Sequence, residues 1–306
     1  MHLSSSSLTH PGLRRDSNED SYTDRLGLGL FVVADGMGGH AAGEVASKVA
    51  ADTIEAFIEE TEGAGADYTW PFGFDPAAGL AGTRLRTAFL MANRAIATRM
   101  ADDPALLGMA TTAVALLVSA AEQSRTSDAA GPRDISDPRP QVPGPSSDAG
   151  PRDIPGLRPP APGPGREGPQ ALSALVAHVG DSRAYLWREG RLEQVTRDHS
   201  WVEEQIALGE MTEEQARIHP WRNLVTRALA GNEDPLVDLT PLALEPGDRV
   251  LLCSDGLCGP VRDEVMAGII GRAPRGEGAA ICEALIDAAN AAGGPDNITV
   301  VLVEIS

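Results

Sequence analysis

A chain of 306 residues with 42% hydrophobic content is long enough to bury a core as one large domain or two smaller ones. A net charge of −19 argues against nucleic acid or an anionic membrane surface as a general partner, so an anionic substrate has to be drawn in by local cations. Three cysteines with no Cys-x-x-Cys spacing suit a reducing compartment.

The first residues, Met1-His2-Leu3-Ser4-Ser5-Ser6-Ser7, read as a short leader. They have neither the basic start nor the apolar stretch of a signal peptide, and no apolar run reaches membrane-spanning length. The expectation is a soluble cytoplasmic protein that works as a monomer. Gly12 to Asp20 is polar and turn-rich, and a strand follows near Tyr22. Read as bland sequence, this is a solvated charge run. Read as chemistry, Asp20 joins a group of acids and Arg15 offers its planar fork to an oxyanion.

Phe31-Val32-Val33-Ala34 is a short apolar run that meets Asp35-Gly36-Met37-Gly38-Gly39-His40. It reads as a buried strand with an acid at its exit. The glycines allow a tight turn and a bare backbone carbonyl beside the acid, which together suit a hard cation. A helix is expected over about 43–60, with Val45, Val49, Thr53, Phe57 and Ile58 on one face. A Gly- and aromatic-rich loop covers 63–79. A second helix over about 80–100 turns Leu85, Phe89, Ala92, Ile96 and Met100 inward, and Thr111 to Val118 reads as a central strand.

Residues 121–170 are dominated by Pro, Gly, Ser, Asp and Arg, and cannot bury enough surface to offset their ordering entropy. Ala130-Gly131-Pro132-Arg133-Asp134-Ile135 recurs as Ala149-Gly150-Pro151-Arg152-Asp153-Ile154. The segment reads as a disordered insertion, with a Pro-rich partner motif as the alternative. Strands resume at 175–179, 183–187 and 191–196. Two short polar helical stretches at 201–209 and 212–217 fall in an excursion, about 198–234, that could flap over a site. A strand then runs to Asp255, helices cover about 261–271 and 277–292, and a strand to Ile305 closes the chain.

The Asp35 pattern returns at Leu251-Leu252-Cys253-Ser254-Asp255-Gly256. Relatives of it are Val179-Gly180-Asp181-Ser182-Arg183 and Pro295-Asp296-Asn297, the latter just before a strand. One Asp-Gly after a strand is a hairpin turn. Several such acids at strand ends are better read as a cluster, and clustered carboxylates repel one another unless cations sit between them. Cys253 and Cys282 read as core. Cys258 lacks a His partner and makes a poor nucleophile. A nucleotide loop at Gly36 to Gly39 is disfavoured, because neither a P-loop Lys nor a full glycine fingerprint is present.

Taken together, these motifs resemble the metal-dependent Ser/Thr protein phosphatases, the protein phosphatase 2C-like or PPM family, in their bacterial form. Arg15-Asp16-Ser17-Asn18-Glu19-Asp20, Asp35-Gly36-Met37-Gly38-Gly39, Ala110-Thr111-Thr112-Ala113, Val179-Gly180-Asp181-Ser182-Arg183, Ser254-Asp255-Gly256-Leu257 and Pro295-Asp296-Asn297 occur in the family's order. The resemblance implies an α+β fold, an αββα sandwich of two antiparallel sheets, as one catalytic domain over 1–306 interrupted at 121–170. It implies a binuclear Mn²⁺ or Mg²⁺ centre held by Asp20, Asp35, Asp255 and Asp296, with Asp35 bridging and Gly36 lending its carbonyl. Glu19 and Asn297 would support these ligands.

The implied reaction is hydrolysis of phosphoserine or phosphothreonine by a metal-activated hydroxide, with Arg15 on the phosphate. The implied partners are phosphorylated proteins and an opposing Ser/Thr kinase. Asp181 matches one acid of a third metal site, but Gly259 stands where the family often has the other. Family members of eukaryotes carry a His after the Asp-Gly as proposed general acid. Met37 stands there in this chain, and His40 is the nearby substitute. A non-catalytic regulatory relative is the alternative reading, disfavoured by the intact acids and Arg15.

Overall fold

Alternation of apolar residues in the strands of this computed structural model explains its layers. The structure describes residues 2–38, 42–120 and 172–306, which fall in one compact unit. The expected insertion at 121–170 and His40 lie outside the described residues. In chain order the elements begin β1 Leu3–His10, β2 Asp20–Arg25, β3 Leu30–Met37, α1 Ala42–Glu60, α2 Gly79–Asp102 and β4 Ala110–Ala120. They continue with β5 Leu172–Val179, β6 Arg183–Arg188, β7 Arg191–Gln194, α3 Trp201–Ala207, α4 Glu213–Ile218 and β8 Asp238–Leu244. The last are β9 Arg249–Cys253, α5 Asp255–Cys258, α6 Asp263–Arg272, α7 Gly278–Ala291 and β10 Ile298–Ile305.

Two five-stranded antiparallel sheets result, ordered β1-β10-β9-β6-β7 and β2-β3-β4-β5-β8. In β3, Phe31 and Val33 share one buried cluster with Val301 and Val303 of β10 and with Val250 and Leu252 of β9, so these residues fill the space between the sheets. Leu30, Val32 and Ala34 point the other way, onto Ile54 and Phe57 of α1 and Phe89 and Ile96 of α2. On the far side, Leu251, Val300 and Leu302 meet Met266 and Ile270 of α6 and Ile281 and Leu285 of α7. Both faces of the central strands are covered, which is why they read as unbroken apolar runs. This is the expected αββα sandwich.

The inner face of α1 is centred on Ala46, Ala50, Ile54 and Phe57. Val45 and Val49 lie at its margin, and Thr53 is only half-buried. The small residues let the helix approach the sheet closely. The residues read as a leader form β1, which pairs with β10 along its full length. Strand β8 was not expected either. Both are sheet-edge strands. In β1 the serines face Asp24, with Ser5 and Ser7 hydroxyls donating to its carboxylate, and in β8 Pro241 is tolerated because one side of an edge strand needs no partner. No helix among the described residues is long and apolar enough to cross a membrane.

Candidate metal centre

The antiparallel order brings several chain segments to one end of the sandwich. Asp20 opens β2 and pairs with Asp35 near the end of β3. Asp255 follows β9, Asp296 precedes β10, and Asp181 lies in the turn that carries the chain from β5 in one sheet to β6 in the other. These strand ends are neighbours because β9 and β10 run antiparallel, as do β2 and β3.

Asp20 is buried, with 8% exposure. Its Oδ2 accepts hydrogen bonds from Ser254 Oγ at 2.8 Å and Thr299 Oγ1 at 2.7 Å. Its Oδ1 is buried with no hydrogen-bond partner among the described residues. Burial raises this carboxyl to about 7, against the pull of the two hydroxyls, and the charges of Asp255 and Asp296 push the same way. Burial, then Asp20, Asp255, Asp181 and Asp296, hold the Asp35 carboxyl well above the carboxylate range. Asp255 is raised by burial and Asp296, and Asp181 is pushed to about 8 by burial and Asp255.

The backbone around these acids is tightly set. Thr111 Oγ1 donates to the carbonyl of Asp35 at 2.8 Å. Gly36 N–H donates to the Glu19 carbonyl at 3.1 Å, and Ser47 Oγ of α1 donates to the same oxygen. A Cβ on Gly36 would run into the carbonyl of Gly43, so only glycine lets β3 and the start of α1 meet here. Asn297 ties the amino-terminal loop down. Its Nδ2 donates to the carbonyls of Pro11 and Ser17 at 3.0 and 2.8 Å, and its Oδ1 accepts from Glu19 N–H at 2.8 Å.

Arg15 stands at the rim with 53% of its side chain exposed, and its Nη2 donates to Asp296 Oδ2 at 2.6 Å. Glu19 is half-buried, and burial raises its carboxyl. Gly259 caps α5, with its N–H on the Asp255 carbonyl at 2.7 Å, so Asp181 finds no acid from that position. Cys258 is buried, and its contact with Cys253 and its burial push the thiol well above the ordinary range.

The donor set fits divalent cations. It offers carboxylate oxygens from four strand ends, one of them orphaned in a buried position, with repulsion that Arg15, paired to Asp296, and Arg183 offset only in part, since burial still leaves Asp20, Asp35 and Asp255 raised. The sequence singled out the acids together with Glu19 and Asn297. Thr299 carried no signal, and Thr111 and Ser254 stood only within motifs, because a hydroxyl beside an apolar run does not show which oxygen it will reach. A second group of titratable side chains is His178, His199 and Asp238.

No protein-family model matches the chain. Individual proteins do. The chain is 35% identical over 295 residues to the serine/threonine protein phosphatase PstP of Mycobacterium tuberculosis, covering 96% of this chain and 43% of that protein. It therefore spans less than half the length of that relative. It is 30% identical over 303 residues to the serine/threonine phosphatase stp of Listeria welshimeri, covering 97% of this chain and 93% of that one. Among solved structures, the catalytic domain of PstP in complex with 2 manganese ions superposes with a TM-score of 0.69 at 32% identity, over 99% of each chain. A Mycobacterium smegmatis phosphatase described as a PPM Ser-Thr phosphatase superposes with a TM-score of 0.68 at 26% identity, over 99% of this chain and 98% of that one. Motif order, sandwich topology and these identities agree: the chain belongs to the PPM family of serine/threonine protein phosphatases.

Proposed function

We propose that the protein hydrolyses phosphoserine and phosphothreonine in other proteins, using two Mn²⁺ or Mg²⁺ ions held by Asp20, Asp35, Asp255 and Asp296. The observation that carries this reading is the buried, unpartnered Asp20 Oδ1 within a group of mutually repelling carboxylates. Such a group is built for cations, not for stability. Bound there, divalent cations lower the pKa of water to about 7 and polarise phosphoryl oxygens.

The residues divide the remaining work. The charges of Asp20, Asp255, Asp181 and Asp296 all act on Asp35, so Asp35 would share in holding both ions, with the Gly36 carbonyl as a further oxygen. Ser254 and Thr299 fix one oxygen of Asp20 so that the other points free. Asn297 and the Glu19 backbone hold the loop that carries Arg15. The Arg15 fork binds phosphate oxygens and steadies the charge that builds on them. Asp181 assists from the side, and His40 is the candidate proton donor to the leaving hydroxyl. No side-chain nucleophile is needed, in keeping with the buried Cys258. The three cysteines are free, which supports a cytoplasmic setting. There the protein acts as a monomer and opposes a Ser/Thr kinase. The test is phosphate release from a phosphothreonine peptide. Release is expected with Mn²⁺ or Mg²⁺ and abolished by EDTA, and an equal rate in EDTA would refute the reading.

A further inference from the structure

The ligand atoms of His178, His199 and Asp238 lie within 4.8 Å of one another. His178 on β5 is the cross-strand partner of Asp238 on β8, and the His199 ring stacks on His178 with 4.5 Å between centroids. Two imidazoles and a carboxylate invite a metal ion, but the hydrogen bonds oppose it. Gly180 N–H donates to His199 Nδ1 at 3.1 Å, so Nδ1 carries the lone pair and the neutral ring keeps its proton on Nε2. That Nε2 faces Asp238 Oδ2 at 3.2 Å and Arg227 Nη1 at 3.3 Å. The guanidinium carries only donors, so Asp238 is the acceptor for an Nε2 proton and its removal leaves Arg227 to favour a bare Nε2. A cation on Nε2 would require a proton on Nδ1, directly against the Gly180 N–H. Stacked rings also aim their in-plane lone pairs side by side, not toward one point. The carboxylate already has a cation, since Arg227 Nη1 lies 3.3 Å from Asp238 Oδ1.

What the arrangement does is hold Gly180. His199 N–H donates to the Gly180 carbonyl at 2.9 Å, and Gly180 N–H returns to the His199 ring. Gly180 has φ +111°, in the region that favours glycine, and a Cβ there would press on Thr112. The next residue is Asp181, which is 8% exposed and close enough to Asp35 and Asp255 to act on their charge. On the other side of the turn, Ser182 Oγ pairs with Thr112 Oγ1 at 2.7 Å and the Arg183 guanidinium grips Asp198. On the Gly180 side the carbonyl is held by the His199 backbone, and the amide N–H depends on one side chain in one tautomer.

We propose that His199 and Asp238 are positioning residues for Asp181: Asp238 holds His199 as the Nε2–H tautomer, Nδ1 holds the Gly180 amide, and the clamped turn aims the Asp181 carboxylate into the acid centre. This rests on the phosphatase reading above, and the test separates the two. In His199→Asn the amide oxygen falls near the place of Nδ1 and keeps the acceptor for Gly180. In His199→Gln the amide falls near the place of Nε2, keeps Asp238 and loses Gly180. Asp238→Ala frees the tautomer.

The first readout uses metal-free protein. Imidazole nitrogen NMR shifts of wild-type His199 are expected to be pyridine-like at Nδ1 and pyrrole-like at Nε2. The Gly180 amide is expected to be protected in wild type and in His199→Asn, and to exchange at least about tenfold faster in His199→Gln. The second readout is the Mn²⁺ concentration that half-activates phosphopeptide hydrolysis. It should rise roughly 10- to 100-fold in His199→Gln and Asp238→Ala, recover in His199→Asn, and not rise further when His199→Gln is added to Asp181→Asn. Equal behaviour of the Asn and Gln variants in both readouts would overturn the proposal, as would a metal ion found on His199. A wild type without Mn²⁺-dependent turnover would instead refute the phosphatase reading, and the Gly180 exchange would still decide the clamp.

Discussion

Replacing Asp20 with Asn should make the metal-free protein more stable while removing its response to metal. Burial lifts the Asp20 carboxyl from 3.8 to about 7, and three pH units correspond to about 4 kcal/mol. The folded pKa lies above the unfolded one, so the folded state binds this proton more tightly. The associated stability is fully present below about pH 4 and is lost as pH rises through about 7. At pH 8 the metal-free wild type therefore carries the whole penalty of an ionised Asp20. Asn carries no charge there, and its oxygen can still accept from Ser254 and Thr299 at the position of Oδ2. Its NH₂ group then sits at the orphaned Oδ1 position without an acceptor, at a cost of about 1–3 kcal/mol. The net gain at pH 8 is about 1–3 kcal/mol, or roughly 2–5 °C in Tm for a chain of this length. At pH 4.5 the gain should vanish or reverse. Calorimetric melts in chelator at both pH values, then with Mn²⁺ at pH 8, read this directly. An Asp20→Asn protein less stable than wild type at pH 8 in chelator, or one that keeps the full Mn²⁺-dependent rise in Tm, would refute the reasoning.

Arg15→Ala should lower kcat/KM for a phosphopeptide by about 10- to 100-fold while moving Tm little, since the side chain is half exposed; a large loss of stability with intact kcat/KM would contradict its placement on the phosphate. Gly36→Ala should cost several kcal/mol or prevent folding, because its Cβ meets the Gly43 carbonyl; a denaturant melt unchanged from wild type would contradict the close approach. Asn297→Ala removes three hydrogen bonds that pin the Arg15 loop and should cost about 2–4 kcal/mol with a raised KM, measured by urea unfolding and steady-state kinetics. Cys258→Ala should keep Mn²⁺-dependent turnover within a few fold of wild type and cost about 1–2 kcal/mol as a small buried cavity; loss of turnover with an intact fold would revive a thiol mechanism.

The readable parts of the sequence were those in which local chemistry and burial coincide. Runs such as Phe31-Val32-Val33-Ala34 before Asp35, and Val250 to Cys253 before Asp255, signal a strand and its functional end together, because a single acid at a strand end reads as a turn but its recurrence after buried strands does not. The edge strands were hidden because each violates a propensity for a tertiary reason. β1 carries a run of serines, of which Ser5 and Ser7 donate to Asp24, and β8 carries Pro241 where no partner strand needs its nitrogen. The role of His199 could not be read at all. It depends on Gly180 and Asp238, which reach it only through the turn after β5 and the pairing of β5 with β8.

The most direct test of the metal centre is calorimetric titration of Mn²⁺ into chelator-stripped protein at pH 8, for wild type and for Asp35→Asn. The account predicts two ions bound by wild type, with Asp35→Asn losing both tight binding and phosphopeptide hydrolysis because Asp35 is the acid whose charge is opposed by all four others. Binding and hydrolysis unchanged by Asp35→Asn would mean that the buried acids are not the centre at which this protein works.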